Sequence, residues 1–307
     1  MPAVNLTLLV PDSELSEYIE RIERFAHPDL HLLNEPSEHT DVVLGTSSKI
    51  FANLKLMPNL KWAQSTWAGV EIFNKMNKPQ FVLTNARGIF GHLMAEYVFG
   101  YLLFIEKDIQ TKLNNQKQKI WDSKTTGNIR GKTIAILGVG SIGSEIACTA
   151  KFFGLKTKGF TQSSESSPDI DQYFHSLPLN SFFEDVDYVV NVLPNTSSTQ
   201  NILDVDSFKL MPKNAIVINA GRGVTVDEGA LTKALNEGWI KAAILDVFKD
   251  EPLPMSSPLW DARNCFITSH TSAHTYIDDI FPIFTRNFEA FIEGYPMVNV
   301  VDMDKGY

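Results

Sequence analysis

Three ionisable residues in the second half of the chain stand where an open α/β sheet would place working groups. Arg222 follows the apolar run Val217-Ile218-Asn219-Ala220, Glu251 follows Leu245-Asp246-Val247-Phe248, and His270 follows Phe266-Ile267-Thr268-Ser269. Each run reads as a buried strand, and such sheets bind ligands outside the carboxyl ends of their strands. Singly, each residue has an ordinary explanation: a solvated loop arginine, a surface carboxylate before Pro252, a satisfied histidine. Upstream, Gly138-Val139-Gly140-Ser141-Ile142-Gly143 follows the apolar run Thr133–Leu137 and opens a helical pattern that includes Ile146 and Ala147. Strand, glycines and helix come in the order that a dinucleotide loop requires. The first glycine makes the turn and the second lets backbone approach a pyrophosphate. The third lets helix and strand pack closely, and the helix N-terminus holds the anion. Behind such a loop, the arginine, the carboxylate and the imidazole together fit one reaction better than three separate accidents.

The coenzyme is NAD or NADP. A site specific for NAD wants Asp or Glu at the end of the second strand, where the ribose hydroxyls bind. Here that strand ends Gly159-Phe160-Thr161-Gln162-Ser163-Ser164, and the next acid, Glu165, lies beyond the expected place. Small polar side chains at Thr161, Gln162 and Ser163 would accept a 2′-phosphate that a carboxylate would repel. No arginine is present to clamp it, and Lys158 is the candidate substitute, so the reading leans slightly towards NADP.

The elements that must position these groups alternate. Leu6–Val10, Leu30–Leu33, Asp41–Gly45, Leu60–Ser65 and Phe81–Thr84 read as short buried strands. Asp12–Phe25 carries apolar residues at helical spacing, and Gly91–Ile109 continues as a long helix whose extension, Gln110–Lys119, is polar and should be a solvated helix face. A second series follows: Thr133–Leu137, Thr157–Phe160, Tyr188–Leu193, Ala215–Ala220, Ala242–Val247 and Cys265–Thr268, with a helix from Asp227 to Glu237. Strand–helix alternation of this kind implies a parallel sheet covered on both faces. At 307 residues a single core tends to split, so two domains with a cleft are expected.

Composition narrows the function classes. With 44% hydrophobic and 21% charged residues, the chain is neither disordered nor fibrous. A net charge of −9 argues against a nucleic-acid surface, although one well-placed arginine is enough to hold a small anion. No run approaches a membrane span, and Met1–Val10 has no cationic head before its apolar stretch. Two cysteines make no disulfide scaffold. Cys148 and Cys265 both sit in apolar runs, which suggests buried, reduced thiols in a cytoplasmic protein.

At this level the sequence resembles the D-isomer-specific 2-hydroxyacid dehydrogenases. The matching segments are Gly138–Gly143, Asn219-Ala220-Gly221-Arg222-Gly223, Leu245–Phe248 with Glu251-Pro252-Leu253, and Ser269-His270-Thr271. Gln64–Val70 is similar to the family's substrate loop, and Gly127–Thr133 to the lead-in of its nucleotide domain. Ser269 replaces the proline that usually precedes the histidine, and Glu71 stands where the substrate loop commonly has Asp.

The resemblance implies an α/β fold: a Rossmann-type doubly wound parallel sheet, residues 97–275, plus a smaller flavodoxin-like substrate domain formed by both chain ends, residues 1–96 and 276–307. The helical pattern Tyr276–Ile292 would return the tail to the N-terminal half. It also implies NAD(P)-dependent interconversion of short 2-oxo acids and (R)-2-hydroxy acids, of the glyoxylate or hydroxypyruvate reductase kind. His270 would move the hydroxyl proton, Glu251 would hold its other ring nitrogen, and Arg222 would hold the substrate carboxylate and polarise the carbonyl. Backbone amides at Trp67, Ala68 and Gly69 would complete the carboxylate site. Along the coenzyme, the implied contacts are Gly138, Gly140, Ser141, Ile142, Gly143, Thr161, Gln162, Ser163, Pro194, Thr199, Ala220 and Asp246, the last at the nicotinamide carboxamide. A homodimer through the dinucleotide-binding domain is the implied assembly.

Other uses of the same residues compete less well. His270 and His274 have metal-ligand spacing, but the first ends a strand; His27 and His31 are separated by Pro28. No metal is expected. Arg87 and His92 flank a glycine turn and suit a hinge or surface role as well as a cleft role. A nucleotide-sensing, corepressor-like binding protein would keep the same fold and triad; the compact chain ends argue against it. A minimal phosphoglycerate dehydrogenase is the remaining alternative. Formate oxidation fits poorly, because Glu251 is present.

Overall fold

Short apolar runs of four to six residues, closed by Gly, Asn or Ser, become the strands of two parallel sheets in the computed structural model, which describes residues 3–76, 79–162 and 165–303. The chain divides into two compact units, Met1–Ile89 with Thr275–Tyr307, and Phe90–His274.

The first unit contains β1 (Val4–Leu9), α1 (Leu15–Phe25), β2 (Leu30–Leu33), β3 (Val42–Gly45), α2 (Ser47–Asn53), β4 (Trp62–Ser65) and β5 (Val82–Thr84). Its sheet has the order β2-β1-β3-β4-β5, all pairs parallel, which is the flavodoxin-like arrangement. β3 and β4 are buried at every position, as the centre of a sheet covered on both faces must be.

The second unit opens with α3 (Gly91–Glu106) and α4 (Ile109–Lys117). The sequence predicts one continuous helix here. The structure breaks it at Lys107–Asp108, with Asp108 in the left-handed region at φ 51°, which short polar residues tolerate. The break follows an anchor. The buried carboxylate of Glu106 receives Lys132 Nζ at 2.8 Å and lies 3.5 Å from Lys241 Nζ. Burial would raise its pKa, but these two ammonium groups hold it below the usual carboxylate value. The sheet is built from β6 (Thr133–Leu137), β7 (Lys156–Phe160), β8 (Gln172–Phe174), β9 (Tyr188–Asn191), β10 (Ile216–Asn219), β11 (Ala242–Leu245) and β12 (Cys265–Ile267). The intervening helices are α5 (Ser141–Phe152), α6 (Asn180–Phe183), α7 (Val205–Leu210) and α8 (Glu228–Asn236).

Strand order is β12-β11-β10-β9-β6-β7-β8, the doubly wound pattern with its switch between β6 and β9. Alternation along β6 feeds both cores. Ile134 and Ile136 pack with Val98, Leu102 and Ile146, while Ala135 and Leu137 pack with Phe182, Phe208 and Leu231. The sequence reading lacked β8, a three-residue edge strand flanked by polar loops and too short to show a period.

The chain then returns to the first unit as α9 (Ile277–Glu293). Phe284 stacks on Trp62 with ring centroids 5.5 Å apart. Buried Asn287 donates to Gln64 Oε1 and the Val298 carbonyl, and its own Oδ1 accepts from the Val298 amide at 2.8 Å. The tail closes by an antiparallel bridge, Thr84 to Val300. Among the described residues no helix is long and apolar enough to cross a membrane.

Candidate active site

The glycine loop is shaped by what cannot be there. Gly138 has φ 101°, and a Cβ on Gly143 would sit 2.0 Å from the Gly138 carbonyl oxygen, so α5 starts against the end of β6 only because both side chains are missing. A Cβ on Gly140 would meet open space, and no side chain caps α5. The first-turn amides of Ser141, Ile142 and Gly143 have no helical acceptor. An uncapped helix start beside open space fits a pyrophosphate.

His270 lies at the mouth of β12. Its Nδ1 is 2.8 Å from Glu251 Oε2, and the other oxygen of Glu251 accepts the Phe248 amide at 2.9 Å. The carboxylate is thus oriented by backbone on one side and orients the imidazole on the other. An ionised carboxylate only accepts, so Nδ1 carries a proton and Nε2 is the nitrogen left to exchange one. His270 is held at φ 56°, an uncommon conformation for this residue type.

Asp246 does the holding. Its carboxylate is completely buried and takes three donors from the His270 loop: Thr268 Oγ1 at 2.6 Å, the Thr271 amide at 2.8 Å and the Ser272 amide at 3.0 Å. The Asp246 carbonyl also accepts the His270 amide at 2.8 Å. Since Thr268 donates to the carboxylate, its oxygen must accept from Tyr97 OH, 2.8 Å away on α3. Burial pushes the Tyr97 phenol up, which keeps it protonated as that donor. Tyr97, Thr268, Asp246 and the His270 loop form one directed chain. The sequence reading had Asp246 only as a coenzyme contact and missed Tyr97 and Thr268. A separation of 171 residues between the last two leaves no local signal.

Arg222 is fixed through its backbone. Its carbonyl accepts from Asn219 Nδ2 at 3.1 Å and Thr225 Oγ1 at 2.5 Å, and its Nη1 donates to the Gly221 carbonyl at 2.7 Å. Buried Asn191 donates to Asn219 Oδ1 at 2.8 Å and Thr225 Oγ1 at 2.6 Å. These two asparagines, each ending an otherwise apolar strand, were legible as Tyr188-Val189-Val190-Asn191 and Ile216-Val217-Ile218-Asn219, but the sequence reading gave them no role. A Cβ on Gly223 would fall 1.8 Å from the Phe248 carbonyl carbon, so the Arg222 loop runs backbone-to-backbone against the loop carrying Glu251.

After β7, Thr161 is buried and Gln162 exposed, while Ser163 lies outside the described residues. Lys158 points elsewhere. Its Nζ donates to the carbonyls of Ser181, Phe182 and Glu184 at 3.0, 3.5 and 2.7 Å, so its three protons are spent on the end of α6. Burial holds its ammonium below the usual lysine value. The candidacy of Lys158 as a phosphate clamp is therefore corrected. Thr199 is buried and closes its own loop, donating to the Pro194 carbonyl at 2.7 Å. Ala220 is buried directly after β10. Cys148, expected to be buried, is exposed on α5, because the apolar spacing around it faces the other side of that helix; Cys265 is partly buried.

Within the first unit, the loop after β4 turns its carbonyls inward. Those of Trp67, Ala68 and Gly69 accept from the Ala86 amide, Asn85 Nδ2 and Ser47 Oγ respectively. The Trp67 amide is already used by Ser65 Oγ at 3.0 Å, whereas the amides of Ala68 and Gly69 meet no acceptor among the described residues. The Trp67 side chain is half exposed. Arg87 is tied by its backbone to Asn85 and Asn299, and His92 is exposed in the first turn of α3.

Comparison with known proteins matches residues 99–272 to the family described as D-isomer specific 2-hydroxyacid dehydrogenase, NAD binding domain. Glyoxylate/hydroxypyruvate reductase A of Salmonella newport (strain SL254) is 30% identical over 258 residues, spanning 81% of this chain and 82% of that protein. Among solved structures, a D-isomer specific 2-hydroxyacid dehydrogenase family protein from Aeromonas salmonicida subsp. salmonicida A449 superposes with a TM-score of 0.92. It is 36% identical, with 98% of this chain and 99% of that one covered. A D-isomer specific 2-hydroxyacid dehydrogenase from Xanthobacter autotrophicus Py2, in complex with NADPH and MES, superposes with a TM-score of 0.86 at 27% identity, covering 99% and 100%.

Proposed function

Because the chain belongs to the D-isomer-specific 2-hydroxyacid dehydrogenase family, we propose that it reduces short 2-oxo acids such as glyoxylate or hydroxypyruvate to (R)-2-hydroxy acids, with His270 as the acid. The observation that carries this reading is the bond between His270 Nδ1 and Glu251 Oε2, which leaves Nε2 as the one ring nitrogen able to exchange a proton. A bound reduced nicotinamide supplies the hydride. Arg222 holds the substrate carboxylate by charge-assisted hydrogen bonds and polarises the carbonyl being reduced. His270 Nε2 delivers the proton to the carbonyl oxygen as it becomes a hydroxyl, and Glu251 stabilises the imidazolium before that transfer. Trp67, Ala68 and Gly69 are proposed as substrate-binding positions; within their own unit the amides of Ala68 and Gly69 meet no acceptor among the described residues, and the Trp67 amide donates to Ser65 Oγ.

In this reading Gly138, Gly140, Ser141, Ile142 and Gly143 receive the pyrophosphate, Thr161 and Gln162 face the adenosine ribose, and Pro194, Thr199, Ala220 and Asp246 line the path to the nicotinamide. NADPH is the preferred reductant, which agrees with the absence of an acid directly after β7 and with NADPH in the Xanthobacter relative. The protein works in the cytoplasm, in keeping with two unbridged thiols. It acts as a homodimer through the dinucleotide-binding unit, a reading supported by Trp121, which is 96% exposed next to exposed Ile120.

A panel of 2-oxo acids with NADPH and with NADH, followed by loss of reduced-nicotinamide absorbance, tests the reaction. His270→Ala should lower kcat by about a hundredfold or more while coenzyme binding persists. Full turnover in that variant, or no turnover of any 2-oxo acid by the native protein, would sink the assignment.

A further inference from the structure

The polar residues after β7 carry no cation of their own, and Lys158 Nζ is occupied by three carbonyls at α6. The fold brings a different one. β7 and β8 run parallel with Phe160 opposite Phe174, and the Thr161 amide donates to the Phe174 carbonyl. That pairing sets His175, the residue just after the edge strand, beside Thr161. His175 Nδ1 lies 2.9 Å from the Thr161 carbonyl oxygen, and Nε2 lies 2.7 Å from Glu165 Oε1. The ring stacks in parallel on Tyr173, 8° from coplanar.

Both ring nitrogens face acceptors. A carbonyl has no proton to give, and neither has an ionised carboxylate, so both nitrogens must donate and the ring is an imidazolium in this arrangement. Glu165, by its bond and its charge, and the Thr161 carbonyl raise the His175 pKa in the same sense. The result is a fixed cation at the carboxyl end of the second strand of a dinucleotide fold, the end at which an adenosine ribose lies. It faces a carboxylate that a more highly charged anion could replace.

We propose that His175 is the residue that recognises the 2′-phosphate of NADP(H), and that Glu165 is an internal competitor for the same Nε2 proton, so that this pair sets the preference between the two coenzymes. The proposal rests on the reading of Gly138–Gly143 as the pyrophosphate loop. When the 2′-phosphate enters, one of its oxygens takes the Nε2 hydrogen bond and the Glu165 carboxylate swings into solvent, where half its side-chain surface already lies. With a ribose hydroxyl in place of the phosphate the displacement has no driving charge, and the His175–Glu165 bond persists.

The test is equilibrium binding, by calorimetry, of 2′,5′-ADP against 5′-AMP and of NADPH against NADH. His175→Asn retains a donor for the Thr161 carbonyl and removes Nε2. It should weaken 2′,5′-ADP and NADPH by about tenfold, as expected for a lost charge-assisted bond, and leave 5′-AMP and NADH within about twofold. Glu165→Gln should act oppositely, tightening NADPH by about threefold or more with NADH unchanged. A pair that merely braces the loop would shift both coenzymes together in both variants, and that result, or an unchanged ratio in His175→Asn, overturns the proposal. If the native protein binds both coenzymes and only the ratio fails to move, the coenzyme reading stands and this proposal alone falls. If it binds neither, both fall.

Discussion

Asp246→Asn separates two roles for a carboxylate that the family resemblance ties to the coenzyme and the structure ties to the His270 loop. In the native protein Oδ1 accepts Thr268 Oγ1 and the Thr271 amide, and Oδ2 accepts the Ser272 amide. Asparagine keeps one acceptor oxygen and presents NH₂ where the other stood. With Oδ1 retained towards Thr268 and Thr271, the NH₂ meets the Ser272 amide donor to donor. One bond to a charged group is lost, at about 1.5–3 kcal/mol, and two others weaken to neutral strength, together about 3 kcal/mol. The left-handed backbone of His270 stores a comparable amount, roughly 1–3 kcal/mol, that the clamp must oppose. Losing the clamp therefore lets the loop relax, and kcat should fall by about a hundredfold. Tyr97→Phe removes a single neutral bond to Thr268, about 1 kcal/mol, and should lower kcat about fivefold. Steady-state reduction of whichever 2-oxo acid the substrate panel identifies gives kcat, and fluorescence titration gives the coenzyme Kd. The expected pattern is a graded loss of kcat with Kd within about threefold. A coenzyme Kd raised strongly in Asp246→Asn, with kcat at saturation unchanged, would refute the loop argument and return Asp246 to the nicotinamide alone.

Gly143→Ala should abolish coenzyme binding and lower Tm, because its Cβ would stand 2.0 Å from the Gly138 carbonyl oxygen and α5 must shift away; native Kd and Tm together would contradict this. Asn287→Ala should destabilise the first unit by about 2–3 kcal/mol, since it strands both polar groups of Val298 and removes one of the two donors to Gln64 Oε1, and thermal unfolding will show it as a lower or earlier transition. A thiol reagent at mildly alkaline pH should titrate Cys148 alone, more slowly than free cysteine. Burial pushes Cys265 up to about 12, and local desolvation with the Asp169 and Glu145 charges nearby raises the exposed Cys148. A raised thiol pKa means less thiolate at that pH, so two fast equivalents would be the contrary result.

Much of the fold was legible because its signals are local. Strand runs such as Thr133–Leu137 coincide with β6, and Asp227 caps α8 through its bond to the Ala230 amide. The glycine loop was readable for the same reason: strand, turn and helix follow one another within a dozen residues. The edge strand β8 and the break at Asp108 were not. The first has three residues and no period, and the second is a single left-handed residue, Asp108, just past Glu106, whose partners Lys132 and Lys241 are distant in sequence. Cys148 misled because an apolar run places residues on a helix without saying which face a given one takes.

What the sequence determined by itself is the chemistry on offer: the glycines of an anion loop, and an arginine, a carboxylate and a histidine each at the end of an apolar run. Residue type and spacing suffice for that, since strand ends and helix starts are set by neighbours a few positions away. Tertiary structure alone decided how these groups are held and what opposes them. It turned Asp246 towards the His270 loop, ran Tyr97 into Thr268 from a different helix, and spent Lys158 on the end of α6. It also laid His175 against Thr161 and Glu165, joining three residues of a polar stretch whose order in sequence gives no hint of contact. The physical reason is that a hydrogen bond needs its partners within about 3 Å and aligned, and chain positions far apart acquire that alignment only when the sheet is assembled.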